Sequence, residues 1–417
     1  MQNRPAAVPW TSWWADPVLR AIIALGLTQI ISWGTTLYAL GILGKPIVAD
    51  TGWSQGLVFG GLTVGLLVSS VLSAWIGRLI DRVGGRRIMS LGSILSAAGL
   101  VLLAGVTHPW AYLAVWAFLG IAMRMTLYDA AFPSLVQVAP SRGRRSISYL
   151  TLFGGLASTI FWPIGAWLNA DYGWRTTLLV FAAINLLACL PLHWWGLAGR
   201  AEHDGGTVAP AAQAATDGPP PLEGRARTVA MVLFGIVSSA CAFVFGALAV
   251  HLVPLIQAWG VALTAAVALA SMKGIAQVAG RLWELLFARK LKPLNLGRVS
   301  VAFLPLSLLV LILGGANYTS ALVFTLLFGV SNGLVTIVRG AVPLALFGPK
   351  GYGAVLGVLA TPYLVLNALA PAVFAVLVER AGYRTGALLL LAAGAIALAA
   401  MEGMALWHRR RSERSPA

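Results

Sequence analysis

Residues 77–87 read GRLIDRVGGRR and separate two long apolar stretches, 54–80 and 87–106. An apolar run of about 20 residues has the length that an α-helix needs to cross a hydrocarbon core about 30 Å thick. A short break with glycines and arginines between two such runs predicts two membrane helices joined by a tight basic turn. Outward from this stretch, most of the chain repeats the same alternation.

The composition excludes an ordinary soluble protein. Charged residues make up only 10% of the 417 residues and hydrophobic residues 59%, whereas soluble domains are about 25% charged. The net charge of +16 would suit nucleic-acid binding, but the charges lie mainly in the short breaks rather than on one face. That distribution is typical of the positive-inside rule of membrane proteins. We therefore expect a lipid bilayer as partner and no nucleic acid.

The apolar runs predict an all-α membrane protein with twelve transmembrane helices. These helices are named segments 1 to 12 and cover 18–43, 54–80, 87–106, 109–136, 146–169, 174–197, 228–256, 263–290, 295–314, 317–346, 351–378 and 383–407. The break at 198–227 is rich in Ala, Pro and Gly and has almost no large apolar residues, which indicates a linker. We expect an N-terminal six-helix bundle (1–197), this linker and a C-terminal six-helix bundle (228–417).

The lysines and arginines are distributed unequally between the two sets of breaks. One set carries most of them, for example Arg142 and Lys292, and the alternate set carries Lys45, Arg175, Arg380 and Arg384. Because positive loops stay in the cytoplasm, this predicts an inner-membrane protein with both termini and the linker in the cytoplasm.

An internal repeat relates the two halves. Gly77–Asp81 near the end of segment 2 resembles Gly280–Glu284 near the end of segment 8, and Pro133 and Pro163 match Pro343 and Pro371. All these offsets are close to 200–210 residues. The pattern predicts a duplicated six-helix unit in parallel orientation.

Four charges, Arg124, Asp129, Lys273 and Arg339, lie deep inside predicted membrane helices, where charge is costly and indicates function by default. Arg124 lies 15 residues after Pro109, about 22 Å along a helix and near the midplane. Lys273 and Arg339 lie at similar depth. This excess of cations predicts an anionic substrate. Tyr128 shares a helical face with Arg124, and Gln277 shares a face of segment 8 with Lys273, which Arg281 and Glu284 extend. Further candidates for substrate binding lie on the same faces or on neighbouring polar helices: Tyr128, Gln277, Asn332, Trp33, Tyr363 and Asn367. The alternative for each arginine is a structural role in holding helices together.

Asp129 is the acid among these four deep charges and has two interpretations. Desolvation favours the protonated form of a buried carboxyl group, so Asp129 could bind and release a proton during transport. Alternatively, it forms a fixed ion pair with an arginine or lysine. The sequence leaves both open.

The stretch at 77–87 resembles the signature of the Major Facilitator Superfamily, G-x-x-x-D-R-x-G-R-R, which joins segments 2 and 3 in that family. The matching residues are Gly77, Asp81, Arg82, Gly84, Arg86 and Arg87. The resemblance implies two pseudo-symmetric six-helix bundles that rock about a central site. It also implies a conformational latch made by these residues and by the degenerate copy with Gly280 and Glu284.

A finer resemblance points to bacterial members related to monocarboxylate porters. It rests on Tyr128 and Asp129 in segment 4 and on Gly-Trp-Arg at 173–175. Those members usually carry an arginine at the position of Ala276, and here Lys273 lies one turn earlier. The resemblance implies that a substrate carboxylate meets a cation on segment 8.

These features predict a proton-coupled transporter of a small organic anion, with a monocarboxylate as the leading substrate. The first alternative is efflux of a drug or metabolite by proton antiport, in which Trp33, Trp162 and Tyr363 would matter more than the cations. A transporter-like receptor or membrane chaperone is a third reading. No nucleophile–base pair, P-loop or metal-ligand spacing occurs, so we expect no enzyme activity and no cofactor. We expect a monomer.

Overall fold

The structure is a computed structural model that describes residues 16–199, 221–288 and 291–414. Ten stretches in these ranges are long and apolar enough to cross a membrane. Two of them, Pro140–Gly196 and Tyr352–Arg411, have 57 and 60 residues, well over twice what one crossing needs. Each turns back at a glycine with positive φ, Gly173 (78°) and Gly382 (76°). The described residues therefore make twelve crossings, which confirms the predicted all-α architecture.

The helices of the first half are as follows. Segment 1 consists of Pro17–Ser32, a π-helical turn Trp33–Leu37 and Ala39–Thr51; segments 2 and 3 are Gln55–Val83 and Gly85–Ala104. Segment 4 is Pro109–Thr126 followed by Tyr128–Val138, and a 3-10 turn Pro140–Arg142 leads into segment 5. Segments 5 and 6 comprise Gly143–Gly155, Ala157–Ile184 with its bend at Gly173, a π-helical turn Asn185–Cys189 and Leu190–Gly196.

The second half is more regular. Segments 7 to 10 are Gly224–Ala258, Leu263–Phe287, Pro293–Gly314 and Tyr318–Phe347, and segments 11 and 12 form Tyr352–Arg414 on either side of Gly382. Most ends lie within a few residues of the predicted ones. Segment 12 was predicted to end at 407 and continues to Arg414. The largest difference is in segment 1, which was predicted to end at 43 and continues to Thr51, where Gly52 with φ 70° closes the helix. Gly-Lys-Pro at 44–46 looks like a break, but the helix accommodates Pro46, which removes only one backbone hydrogen bond.

Segment 4 is interrupted at Leu127, whose backbone is extended (φ −81°, ψ −173°). The Gln29 side chain donates a hydrogen bond of 2.7 Å to the carbonyl of Thr126, a group next to this break. The prediction that Arg124 and Tyr128 share one helical face assumed a continuous helix. That prediction is wrong, because Leu127 separates two helices. The two residues therefore lie on different helices and do not follow one 3.6-residue period.

Each half builds its own apolar interior. The largest buried cluster draws only on residues between Leu222 and Met404. Two other clusters draw on the first half, joined in one of them by Tyr352 and Leu356 of segment 11. The halves meet mainly where segment 2 packs on segment 11 and segment 5 packs on segments 8 and 10. Residues 200–220 of the predicted linker lie outside the described residues, as do residues 1–15 of the predicted first bundle.

Candidate functional site: cations between the two halves

The signature acid Asp81 joins the halves at one end of the molecule. We name this end, where segments 2, 4, 8 and 10 finish, the arginine-rich end. The Asp81 carboxylate accepts hydrogen bonds from the backbone N–H groups of Gly353 (2.9 Å) and Ala354 (2.7 Å) in the first turn of segment 11. A carboxylate is stabilised there by the unpaired N–H groups and the helix dipole. Gly77 lies directly against Gly353, so that a Cβ on Gly77 would overlap the Gly353 carbonyl.

The degenerate copy of the signature, with Gly280 and Glu284, makes the corresponding contact between segments 8 and 5. Glu284 of segment 8, only 3% exposed, pairs with Arg144 of segment 5 at 3.4 Å. Arg144 also donates to the carbonyl of Leu291. Gly280 gives segment 8 close packing on Val330 of segment 10. Asp81 thus ties segment 2 to segment 11, and Glu284 ties segment 8 to segment 5, as the repeat relates them.

The remaining signature residues shape the turn between segments 2 and 3. Gly84 adopts φ 95°, a conformation that favours glycine. Arg86 stacks on the Trp194 ring at 4.0 Å. Arg82 and Arg87 are exposed and form no ion pair within the described ranges. Among the predicted latch residues, Asp81 and Glu284 make contacts between the halves, whereas Arg82 makes no ion pair with any described residue.

Segment 8 presents a stripe of polar side chains between the halves. Lys273, Gln277 and Arg281 are spaced four residues apart and therefore share one helical face. Gln277 lines a cavity of about 370 Å³ between segments 5 and 8, together with Tyr38, Gly155, Ser158, Thr159, Gly274, Ile275, Val278, Ala279 and Leu282. This volume lies within the range of small-molecule sites, about 300–1,000 Å³.

Arg281 is the most deeply buried cation of this stripe, at 2% exposed. Its Nη1 donates to the Thr151 carbonyl of the other half at 2.7 Å, and its Nε faces the Gly333 carbonyl at 3.4 Å. It forms no ion pair with a carboxylate among the described residues. The sequence placed Arg281 on this face, as an extension of Lys273 and Gln277, but Arg281 was not among the predicted substrate-binding residues. The spacing of eight residues from Lys273 was the signal that could have identified it as a site residue.

Aromatic side chains lie beside Arg281. The Trp33 ring lies 5.7 Å from Tyr38 and 5.1 Å from Tyr128, centroid to centroid. The Tyr128 hydroxyl donates to the same Thr151 carbonyl that accepts from Arg281, at 3.3 Å. The predicted residues Trp33, Tyr128 and Gln277 are therefore close to a cation, although the cation is Arg281 rather than Arg124.

Lys273 lies about two helical turns deeper in the membrane than Arg281. Its Nζ lies 5.3 Å from the centroid of the Phe328 ring on segment 10. It makes no ion pair in the described part of the chain. An ammonium held only by an aromatic face retains unused hydrogen-bond donors, so Lys273 can receive an anionic group.

Asp129 and Arg339 pair with each other across the halves. Their side chains are 18% and 16% exposed and approach to 3.0 Å. The Arg339 guanidinium also lies 3.5 Å from the centroid of the Tyr363 ring. Arg339, predicted for the substrate site, thus contacts both the predicted proton carrier Asp129 and the ring of Tyr363, another predicted substrate residue.

Of the predicted substrate-binding residues, all of which the structure describes, only Gln277 lines the cavity between segments 5 and 8. Three of the others lie away from both this cavity and the cations of segment 8. Arg124 is 2% exposed and is held inside the first half by Ser73, through its hydroxyl (2.7 Å) and its carbonyl (3.1 Å). Asn367 faces the Ala242 carbonyl at 3.4 Å within the second half. Asn332 is half-buried on segment 10. The structure does not bring these three side chains together with Gln277.

The charges inside the molecule do not balance. The buried or half-buried cations Lys273, Arg281 and Arg124 have no carboxylate partner within 4 Å among the described residues, and Asp129 is already paired with Arg339. Glu284 is paired with Arg144. The region between the halves is therefore electropositive. Among the described residues, no group of three or more His, Cys, Asp or Glu side chains could hold a metal ion.

Curated relatives include transporters of different substrates. The chain is 26% identical over 226 residues to a gallate transporter of Pseudomonas putida, covering 52% of this chain and 46% of the relative. It is 32% identical over 148 residues to the multidrug resistance protein MdtG of Yersinia enterocolitica, covering 34% and 33%. The matches span half or less of the length of these relatives.

Solved structures share the fold over nearly the whole chain. The human organic anion transporter MFSD10 (TETRAN) superimposes with a TM-score of 0.68 at 17% identity, covering 94% of this chain and 100% of that one. The proton:xylose symporter XylE gives 0.68 at 16% identity, covering 94% and 96%. The model of the Major Facilitator Superfamily matches residues 22–360. The twelve crossings, the signature at Asp81 and this match together show that the chain belongs to the Major Facilitator Superfamily and is a transporter rather than an enzyme.

Proposed function

We propose that the protein is a secondary transporter that moves a small organic anion, a monocarboxylate in the simplest case, through the inner membrane by alternating access. In this proposal it acts as a monomer, with the arginine-rich end in the cytoplasm and the linker 198–227 joining two bundles that move as bodies. The main support is the Arg281 guanidinium, buried beside the cavity without a carboxylate partner in the described ranges.

An anion would relieve an energetic cost at this position. A charge inside a membrane protein costs several kcal/mol unless it is paired. Arg281 is partly compensated by neutral carbonyl groups, and a substrate carboxylate could form a stronger, bidentate pair with it. Lys273, two turns away on the same face, would supply a second cation at greater depth.

Binding at Arg281 would also act on the contact between the halves. The guanidinium nitrogen Nη1 that faces the Thr151 carbonyl bridges segment 8 and segment 5. A substrate that takes over this donor weakens one bond that keeps the arginine-rich end closed. Because a ligand shifts a conformational equilibrium only by its differential affinity for the two states, this exchange of partners gives a physical route from binding to opening.

Asp129 is the proposed proton carrier. Its ion pair with Arg339 joins segments 4 and 10 and must break if the halves separate at that level. A protonated Asp129 has no charge to hold Arg339, so proton uptake lowers the cost of separation. Proton binding and opening are then coupled through one carboxyl group.

Ligand-induced stabilisation tests the anion proposal. Purified protein is heated with a panel of small carboxylates, including benzoate and gallate, and with lipophilic cations. A ligand at 100 times its Kd adds about 2.7 kcal/mol of stability. We expect stabilisation by a carboxylate in the wild type and its loss in Arg281→Gln. The matched control is Arg298→Gln on segment 9, which removes an arginine paired with Glu402 at the edge of the second half. An unchanged carboxylate response in Arg281→Gln would overturn the proposal.

Drug or metabolite efflux is the second candidate. The similarity to MdtG and the rings of Trp33, Tyr38 and Tyr128 near the cavity favour it. Stabilisation by lipophilic cations alone would support this alternative. The electropositive surroundings of Arg281 and Lys273 oppose cation binding, which is why we favour the anion.

A further inference from the structure

A second and larger cavity lies at the arginine-rich end, away from the proposed substrate site. It encloses about 760 Å³ between the beginnings of segments 1 and 5 and the end of segment 8. One wall is apolar and is formed by Leu19, Ile22 and Ile23 of segment 1. The opposite wall is basic and carries Arg142 and Arg145. The cavity is therefore amphipathic, with charge at the end of the molecule and apolar surface toward its middle.

The two basic residues of this wall have little internal compensation. Arg142 meets Asp16 only at 3.9 Å, with side chains 67% and 44% exposed, and exposed pairs of this kind contribute little. Arg145 is exposed and donates to the Tyr149 hydroxyl at 3.2 Å, a neutral acceptor. Both guanidinium groups keep donors that can bind an anion.

The apolar wall continues along the outside of the molecule. Ile23 also lines a hollow of about 200 Å³ between segments 1 and 6, with Leu27 and Trp195. Leu27 is 41% and Trp195 44% exposed, so this surface faces the lipid in a membrane. The cavity with its basic wall and the apolar hollow thus meet at Ile23.

We infer that this groove binds one anionic phospholipid, with its phosphate against Arg142 and Arg145 and one acyl chain along Ile23 and Leu27. Basic pockets between membrane helices at the cytoplasmic surface are typical sites for acidic lipid headgroups. Charge complementarity with the two arginines favours an anionic lipid over a zwitterionic one. The apolar hollow favours a lipid over a soluble anion, because it can hold an acyl chain. Arg144 and Glu284 also line the cavity, so the bound lipid lies beside the contact that joins segments 5 and 8.

Thermal stability in detergent tests this site. Purified protein is measured with phosphatidylglycerol, with phosphatidylcholine and with inorganic phosphate. We expect phosphatidylglycerol to raise Tm by several degrees more than the other two. The double variant Arg142→Gln/Arg145→Gln should lose this difference. The matched control Arg410→Gln/Arg411→Gln, which removes two exposed arginines at the end of segment 12, should keep it.

Native mass spectrometry supplies a second measurement, retention of phosphatidylglycerol, that does not depend on unfolding. We expect the wild type and the control to retain one phosphatidylglycerol and the groove variant to lose it. Equal stabilisation by phosphatidylcholine would show that the charges do not select the lipid, and equal stabilisation by inorganic phosphate would identify a soluble-anion site. Either result, or a control variant that loses the effect equally, overturns the inference.

Discussion

At the scale of single residues, the intramembrane charges divide into two kinds. Arg339 is paired with the carboxylate of Asp129. Arg124 and Arg281 are held by neutral oxygens, and Lys273 lies against an aromatic ring. Because an uncompensated cation is costly in this environment, the second kind is better suited to receive a substrate anion. Of these three, Lys273 and Arg281 lie on the face of segment 8 between the halves, whereas Arg124 lies inside the first half.

Asp129→Asn tests the proposed proton carrier. Asparagine resembles the protonated acid and removes the charge that holds Arg339. We expect proton-driven accumulation of substrate in proteoliposomes to disappear, while exchange of substrate across the membrane continues, because exchange needs no net proton movement. Accumulation that still follows an imposed pH gradient in Asp129→Asn would exclude Asp129 as the coupling group.

The sequence identified these charges but not their partners. Arg124, Asp129, Lys273 and Arg339 are visible because charge is rare in apolar helices. Their pairing depends on how segments from different halves face each other, which spacing along one helix does not contain. Arg281 lies on the predicted face of Lys273 and Gln277, but its contact with Thr151 of the other half, which marks it as a site residue, is not visible in the sequence.

At the scale of helices, the contacts between the halves depend on small residues at the crossings. Segment 2 crosses segment 11 with Gly77 against Gly353, and Gly357 lies against the backbone of Ser73. Small residues allow membrane helices to approach closely. This approach places the Asp81 carboxylate within reach of the N–H groups that begin segment 11.

Gly77→Ala tests this crossing. The added Cβ overlaps the Gly353 carbonyl, and overpacking of this kind typically costs about 1–3 kcal/mol. We expect the arginine-rich end to spend more time open, measured as a longer distance between spin labels on Val83→Cys and Lys350→Cys. Gly60→Ala, on the same helix with no atom within 4 Å of an added Cβ, should leave the distance unchanged. Equal distances in both variants would contradict the role of this crossing.

Helix positions were predicted well and helix interruptions were not. The lengths of apolar runs are set by the membrane, so most ends agree with the structure. The break at Leu127 leaves no sequence signal, since neither glycine nor proline stands there. The carbonyl of Thr126 next to the break accepts a hydrogen bond from Gln29 of segment 1, a contact between helices that are distant in sequence.

At the scale of the whole molecule, two related contacts close one end. Asp81 with segment 11 and Glu284 with Arg144 occupy corresponding positions in the repeat. The described hydrogen bonds between the halves extend from there to the level of Ser70 and Thr361. We infer that transport requires these contacts to break together, and that the substrate anion, by taking Arg281 from Thr151, contributes to breaking them.

The central claim is that cations on segment 8 bind the transported anion. The most direct measurement is uptake into proteoliposomes of the carboxylate that stabilises the wild type, compared with Lys273→Ala and with the control Lys292→Ala, an exposed lysine at the start of segment 9. We predict that uptake falls at least tenfold in Lys273→Ala, a loss of about 1.4 kcal/mol or more, and is retained in Lys292→Ala. Wild-type uptake by folded Lys273→Ala protein would contradict the account.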